Sequence, residues 1–157
     1  MADKKEVKAG KTGKVDVVAK VKKIAKEIYG EILLLEKPDL VMPIRSLSNV
    51  AYNEKEGYFS ILSKVKTRTL SANTIKTFAQ TLRMMNLSKD LVEAKDIATK
   101  REAYYVSKNW GDARFKEQPE SDTVMDDIEA MMRVNREQIG FIPEEKGGAV
   151  AGRLVVI

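Results

Sequence analysis

The side chains best equipped for chemistry lie together between Thr99 and Trp110. This run, Thr-Lys-Arg-Glu-Ala-Tyr-Tyr-Val-Ser-Lys-Asn-Trp, puts two phenols, a guanidinium and two ammonium groups on one short segment. A phenol is a usable nucleophile on phosphorus because its oxygen both attacks and leaves at tolerable cost. With a free pKa of about 10 it is mostly neutral, so neighbouring cations must help remove its proton and balance charge on the phosphoryl oxygens. Arg101 suits the second task, since a guanidinium stays charged and can fork to two phosphate oxygens. It stands three residues before Tyr104 and four before Tyr105, so spacing leaves open which phenol it serves. The competing reading makes both tyrosines amphipathic rim residues, each with an apolar ring and a wet hydroxyl.

Chemistry here needs the segment held as a helix. Thr99 with Glu102 reads as a capping box, the hydroxyl and the carboxylate each satisfying a backbone donor of the other, so a helix is expected to start there and Gly111 to stop it. At about 100° per residue, Ala103, Val106 and Trp110 share one side, and Arg101, Tyr105 and Lys108 the opposite one. The apolar side is therefore expected to be buried, with Trp110 beneath the helix and Tyr105 exposed.

The 157 residues contain neither cysteine nor histidine, which excludes disulfides, thiol catalysis, histidine triads and the common zinc sites. At 43% hydrophobic and 32% charged, without low-complexity repeats, the chain reads as a globular protein with one main domain. No apolar run reaches the roughly 18 residues of a membrane-spanning helix and no signal-peptide core opens the chain, so a cytoplasmic protein is expected. The net charge of +5 is uneven: residues 1–26 carry +6, residues 27–44 carry −3, residues 45–108 carry +6 and residues 109–157 carry −4. The segment leading into the tyrosines is thus basic, as a binder of phosphate backbones requires.

In chain order, residues 1–14 are Lys- and Gly-rich, with Val7 the lone branched apolar residue, and read as a disordered basic arm. Gly10-Lys11-Thr12 is like the end of a phosphate-binding loop, but Lys5 stands where glycine is required and no strand precedes it, so it is rejected as a nucleotide site. Residues 15–38 form an expected N-terminal helix with Val17, Val21, Ile24, Ile28, Ile32 and Leu35 in one stripe and Pro38 ending it. Asp39 to Ile44, Leu47 to Asn53 and Tyr58 to Val65 read as strands of a small sheet, with a turn from Asn53 to Gly57. Thr74 to Asn86 reads as an amphipathic helix, and a separate one is expected to open at Ser88 with Leu87 and Val92 as a hydrophobic staple. Met84 and Met85 read as core filler. Asp112 to Glu120 is an expected loop, after which Ser121 or Asp122 caps a helix to Gln138, with Val124, Ile128, Met131 and Val134 inward and Gly140 closing it. Asp126 and Asp127 are adjacent, hence on different sides of the helix, and with Asp122 fall in its first turn, where the helix dipole explains them without a metal. Ile139 to Pro143, a turn from Glu144 to Gly148 and Ala149 to Ile157 read as a β-hairpin. Helices followed by such a wing give an α+β, winged-helix arrangement over residues 39–157, a helix-turn-helix variant that inserts one helix into a DNA groove.

Arg101-Glu-Ala-Tyr-Tyr105 resembles the tyrosine motif of the topoisomerase VI A subunits, which are type IIB DNA topoisomerases, and of their relatives that make meiotic double-strand breaks. Three further blocks match in order: Pro43 to Tyr52 (Pro-Ile-Arg-Ser-Leu-Ser-Asn-Val-Ala-Tyr), Phe115 to Asp122 (Phe-Lys-Glu-Gln-Pro-Glu-Ser-Asp) and Lys146 to Gly152 (Lys-Gly-Gly-Ala-Val-Ala-Gly). The resemblance runs from about Ile24 to the C-terminus, and four ordered blocks are specific where one alone would be weak.

The resemblance implies that Tyr105, the second tyrosine, is the nucleophile, with Arg101 its partner and Tyr104 packed beside it. Attack on a DNA phosphodiester would give a reversible 5′-phosphotyrosyl double-strand break for duplex passage, relaxing or decatenating DNA. Lys100, Lys108 and Arg45 are the candidate contacts to double-stranded DNA, although Arg45 opens a polar turn ending at Asn49 whose reading is structural. The resemblance further implies Mg²⁺ held by a Toprim domain absent from this chain and ATP used by a partner B subunit. It implies contact of the N-terminal helix with that partner, an A-subunit homodimer within a heterotetramer of two A and two B subunits, no membrane partner, and a nucleoid-associated place in the cytoplasm. The chain stops inside the apolar run Leu154 to Ile157, where the family continues into the Toprim domain, so this chain is expected to bind DNA but to cleave poorly or not at all by itself. Two other classes fit the residues: a non-catalytic winged-helix regulator that reads DNA sequence through base contacts, and an interaction module whose tyrosines are rim residues.

Overall fold

A computed structural model describes residues 16–54 and 57–142. The basic arm at 1–14 and the hairpin wing with its turn, 144–157, lie outside the described residues. The described residues form four helices, α1 (Val17–Leu33), α2 (Ile75–Ala94), α3 (Lys100–Ser107) and α4 (Gln118–Met132), and six short strands, β1 (Asp39–Pro43), β2 (Val50–Asn53), β3 (Tyr58–Ile61), β4 (Val65–Thr69), β5 (Ala98–Thr99) and β6 (Phe141–Ile142). The architecture is α+β, with the helices packed on one another and the strands in three two-stranded pairs.

The main core is helical. Val17 and Val21 of α1, Met84 and Met85 of α2, Ala103 of α3 and Val124, Met125, Ile128 and Met132 of α4 interlock around Phe115, Ile139 and Phe141. Met84 and Met85 are core filler as expected, being unbranched chains that fit irregular gaps. A second cluster of Ile28, Leu40, Met42 and Phe78 ties α1, β1 and α2 together and shares Ile24, Leu82 and Met131 with the first.

Between α1 and α2 the chain makes a nested pair of hairpins. β1 pairs antiparallel with β4, from Asp39 opposite Thr69 to Pro43 opposite Val65, and the β2–β3 hairpin projects from between them. The strand expected over Tyr58 to Val65 is therefore two strands, β3 and β4, broken at Leu62 to Lys64. Asn49 makes the break: its buried amide donates to the carbonyls of Ile44 and Lys64 at 2.7 and 2.9 Å and accepts from the Lys64 N–H at 3.0 Å. The block from Pro43 to Tyr52 thus closes a hairpin base, in keeping with its structural reading.

Several expected boundaries move. α2 runs unbroken through Ser88, where a separate helix was expected to open, because the buried Ser88 hydroxyl donates to the Ile139 carbonyl at 2.8 Å and so does not compete as a cap. α2 ends at Lys95 in the left-handed region (φ 56°). α4 starts at Gln118, ahead of the expected Ser121 or Asp122 cap, since Pro119 fits a first turn where its missing N–H costs nothing. It ends at Met132, short of Gln138, where Arg133 turns left-handed (φ 51°), and Arg136–Ile139 is a separate 3-10 turn closed by Gly140. Gly140 has φ +83°, and a Cβ there would sit 2.9 Å from Cβ of Leu91, so this close approach of α2 demands glycine. α1 stops well before Pro38, leaving Ile32 and Leu35 of the expected stripe exposed.

Candidate active site

α3 is built as its sequence requires. Thr99 is extended (φ −75°, ψ 159°); its Oγ1 accepts from the Glu102 N–H at 3.1 Å, and the Glu102 carboxylate accepts from the Thr99 N–H at 2.6 Å. The same Thr99 closes strand β5, which pairs in parallel with β6, so the helix start is held by the Ala98–Phe141 and Thr99–Ile142 pairs. Capping and strand pairing at one residue fix both the position and the entry direction of the helix.

Ala103 and Ser107, one turn apart, are fully buried, and Tyr105 lies about 200° from Ala103 by helical geometry, which turns it outward. Tyr105 is 54% exposed. Arg101, one turn before it, is also exposed, and its Nη2 donates to Tyr105 Oη at 3.4 Å with the guanidinium carbon 5.7 Å from the ring centroid. The two project from one exposed face, as expected. The apolar side differs from the expectation: Val106 is exposed, Ser107 takes its place, and Gly111 is not the stop, since α3 ends at Ser107. Trp110 lies beyond the helix end and is half-buried, tilted against fully buried Phe115 with ring centroids 5.8 Å apart. Phe115, coming from the following loop, fills the space that Trp110 was expected to occupy.

The second phenol is engaged elsewhere. Tyr104 Oη donates to the Lys116 carbonyl at 3.0 Å, while its ring lies 5.5 Å from that of Tyr105 and under the Lys108 ammonium, 4.0 Å from the centroid. Lys108 also donates to the carbonyls of Phe115 and Lys116, at 2.8 and 3.3 Å. Tyr104 and Lys108 together clamp the loop after α3, and the question that spacing left open has a geometric answer: Arg101 meets Tyr105.

The three candidate DNA contacts all have partners inside the chain. Lys100 faces Asp122 at 3.5 Å, Lys108 holds the loop clamp with Tyr104, and Arg45 pairs with Asp126 at 2.8 Å. Arg45 lines a separate cavity of about 490 Å³ with Phe59, Leu62 and Arg133, and neither Tyr104 nor Tyr105 lines it. Sequence reasoning missed Lys116, although it sits in the block from Phe115 to Asp122. The two adjacent acids, expected on different sides of their helix, do diverge. Asp127 is buried between Lys66 (2.8 Å) and Arg68 (3.1 Å), while Asp126 joins Arg45 and Arg136. Burial tends to lower the Arg136 pKa, but its bonds to Glu129 and Asp126 outweigh that and leave it raised.

Among the described residues no group of three or more His, Cys, Asp or Glu could hold a metal ion. One oxygen of Asp122 is buried without a hydrogen-bond partner, but its carboxylate faces a lysine, and no further acid joins it. No described helix is long and apolar enough to cross a membrane.

Residues 76–141 match the model of a family described as Type IIB DNA topoisomerase. The chain is 48% identical over 138 residues to the A subunit of type 2 DNA topoisomerase 6 from Methanocaldococcus jannaschii, an alignment covering 88% of this chain and 37% of that protein. It is 34% identical over 140 residues to the corresponding protein of Methanothermobacter thermautotrophicus (88% and 39%) and 33% identical over 136 residues to that of Archaeoglobus fulgidus (85% and 37%). The chain thus spans well under half the length of these curated relatives.

Proposed function

The chain belongs to the type IIB DNA topoisomerase family, and from that premise we propose that α3 carries the strand-cleaving tyrosine of an A subunit, Tyr105. One observation carries the assignment to Tyr105: the Arg101 guanidinium meets its exposed hydroxyl, whereas the Tyr104 hydroxyl is bonded to the Lys116 carbonyl. In this reading the Tyr105 oxygen attacks a backbone phosphorus and the bond to the 3′ oxygen breaks. The phenol gives up its proton to solvent and the departing oxygen takes one up, leaving a 3′ hydroxyl and a 5′-phosphotyrosyl ester. One phosphate ester replaces another, so the energy of the bond is retained and the strand can be resealed. Arg101, already beside the reacting oxygen, balances the charge that grows on the phosphoryl oxygens.

The winged-helix arrangement belongs to this reading, with α3 presenting Tyr105 to the duplex. So do an A-subunit homodimer in which each copy cuts one strand, a B subunit that uses ATP, and relaxation or decatenation by duplex passage. The described residues do not fit a metal, so Mg²⁺ is assigned to a Toprim domain outside them. The deciding experiment supplies a full-length A subunit, the B subunit, Mg²⁺ and ATP with plasmid DNA, traps the reaction in denaturant and maps the DNA-linked peptide. Attachment at Tyr105 is expected. A soluble complex that binds one DNA sequence tightly and forms no adduct would instead favour the regulator.

A further inference from the structure

Apart from the tyrosine helix, a groove among the described residues is rich in cations. It has a volume of about 400 Å³ and is lined by Arg68 of β4, Lys76 and Thr77 of α2, Lys116 of the loop after α3, and Glu120 and Thr123 of α4. Three cations face one carboxylate. Arg68 is committed to buried Asp127 and to the Thr81 hydroxyl, at 3.1 Å each. Glu120 is turned to the backbone, accepting the Lys116 N–H at 2.8 Å. The ammonium groups of Lys76 and Lys116 stand exposed, and no ion pair engages either among the described residues. They differ from Lys100 and Arg45, each in an internal ion pair, and from Lys108, whose ammonium donates to backbone carbonyls.

The groove is also joined to the tyrosine helix through Lys116. The Lys116 carbonyl accepts the Tyr104 hydroxyl, so a single residue belongs to the tyrosine clamp through its backbone and to the groove through its side chain. A lysine ammonium contacts phosphate as a point charge, without the forked geometry of arginine, and two such charges beside a polar rim suit a backbone of repeated phosphodiesters. We propose that this groove holds the backbone of the duplex that Tyr105 cuts, with Lys76 and Lys116 contacting phosphates that flank the scissile one. The proposal rests on the DNA-cleavage reading of the tyrosine helix.

The test is duplex binding by the full chain, followed by fluorescence anisotropy across a range of salt concentrations. Each phosphate contact contributes about 0.9 to the slope of log affinity against log salt. The Lys76→Gln, Lys116→Gln double variant should therefore flatten the slope by about 2, Lys76→Arg with Lys116→Arg should keep it, and Lys37→Gln with Lys95→Gln, on exposed cations outside the groove, should leave it unchanged. An unchanged slope in the Gln groove variant, with wild-type protein binding normally, overturns the groove assignment and leaves the cleavage reading standing. Equal flattening in the Lys37, Lys95 variant also overturns it, since the charge would then act diffusely. Saturable binding of inorganic phosphate, lost in the Gln groove variant and competing with duplex at constant ionic strength, would make the groove a small-anion site and refute the assignment. Failure of the wild-type chain to bind duplex at all would sink both readings.

Discussion

The two adjacent tyrosines should separate catalysis from stability in opposite senses. Tyr105→Phe removes an exposed oxygen whose bond from Arg101 is long, at 3.4 Å, and readily exchanged for water, so stability should change by no more than about 0.5 kcal/mol. Tyr104→Phe removes a 3.0 Å bond to the Lys116 carbonyl. That carbonyl keeps the Lys108 ammonium as a donor at 3.3 Å, so it is not left orphaned, and the loss should be about 1 kcal/mol. For a chain of this size that lowers Tm by about 2–4 °C. The covalent adduct should run the other way, abolished by Tyr105→Phe and retained by Tyr104→Phe. The assays are thermal melting of each purified variant and denaturant-trapped adduct formation with the full-length A subunit, the B subunit, Mg²⁺ and ATP. An adduct from Tyr105→Phe with none from Tyr104→Phe would refute the assignment of the nucleophile. A melting loss confined to Tyr105→Phe would refute the division of roles between the two hydroxyls.

Arg101→Ala should bind duplex nearly as well as wild type yet form adduct more slowly by on the order of 10², because its contribution strengthens as charge builds on phosphorus; rapid-quench adduct kinetics measure this. Asp127→Ala should cost about 3 kcal/mol, since it strands Arg68 and Lys66 beside a buried hole, and the expected fall in Tm is about 6–12 °C by calorimetry. Glu93 of α2 is held below its usual pKa of 4.5, first by the bond from Lys22 of α1 and then by Lys89. Because the folded value is the lower one, its contribution is fully present above pH 4.5 and is lost as pH falls through the depressed value. Amide exchange in α1 should accelerate over that acid window, and Glu93→Gln should remove this dependence.

Much of the site was legible in the sequence because its determinants are local. A capping box needs only Thr99 and Glu102 three residues apart, and the outward direction of Tyr105 with Arg101 one turn before it follows from helical periodicity. The absence of cysteine and histidine likewise narrowed the chemistry without reference to any fold. The methionines of α2 and the buried stripe through Val17, Val21 and Ile28 were readable for the same reason, as period alone marks a buried face. What escaped was set by partners distant in the chain. Ser88 looks like a cap until the Ile139 carbonyl, 51 residues later, accepts its hydrogen bond. Periodicity puts Asp126 and Asp127 on different sides of their helix, but which of them is buried was not legible: Asp127 meets Lys66 and Arg68 of β4, and Asp126 meets Arg45 and Arg136. The hydrogen bond of the Tyr104 hydroxyl to the carbonyl of Lys116, 12 residues later, was of this kind as well. Local hydrogen bonds and periodicity are written in short spans of sequence, whereas the desolvation and pairing of a polar group depend on which distant segments the core brings against it, and only the packed tertiary structure decides that.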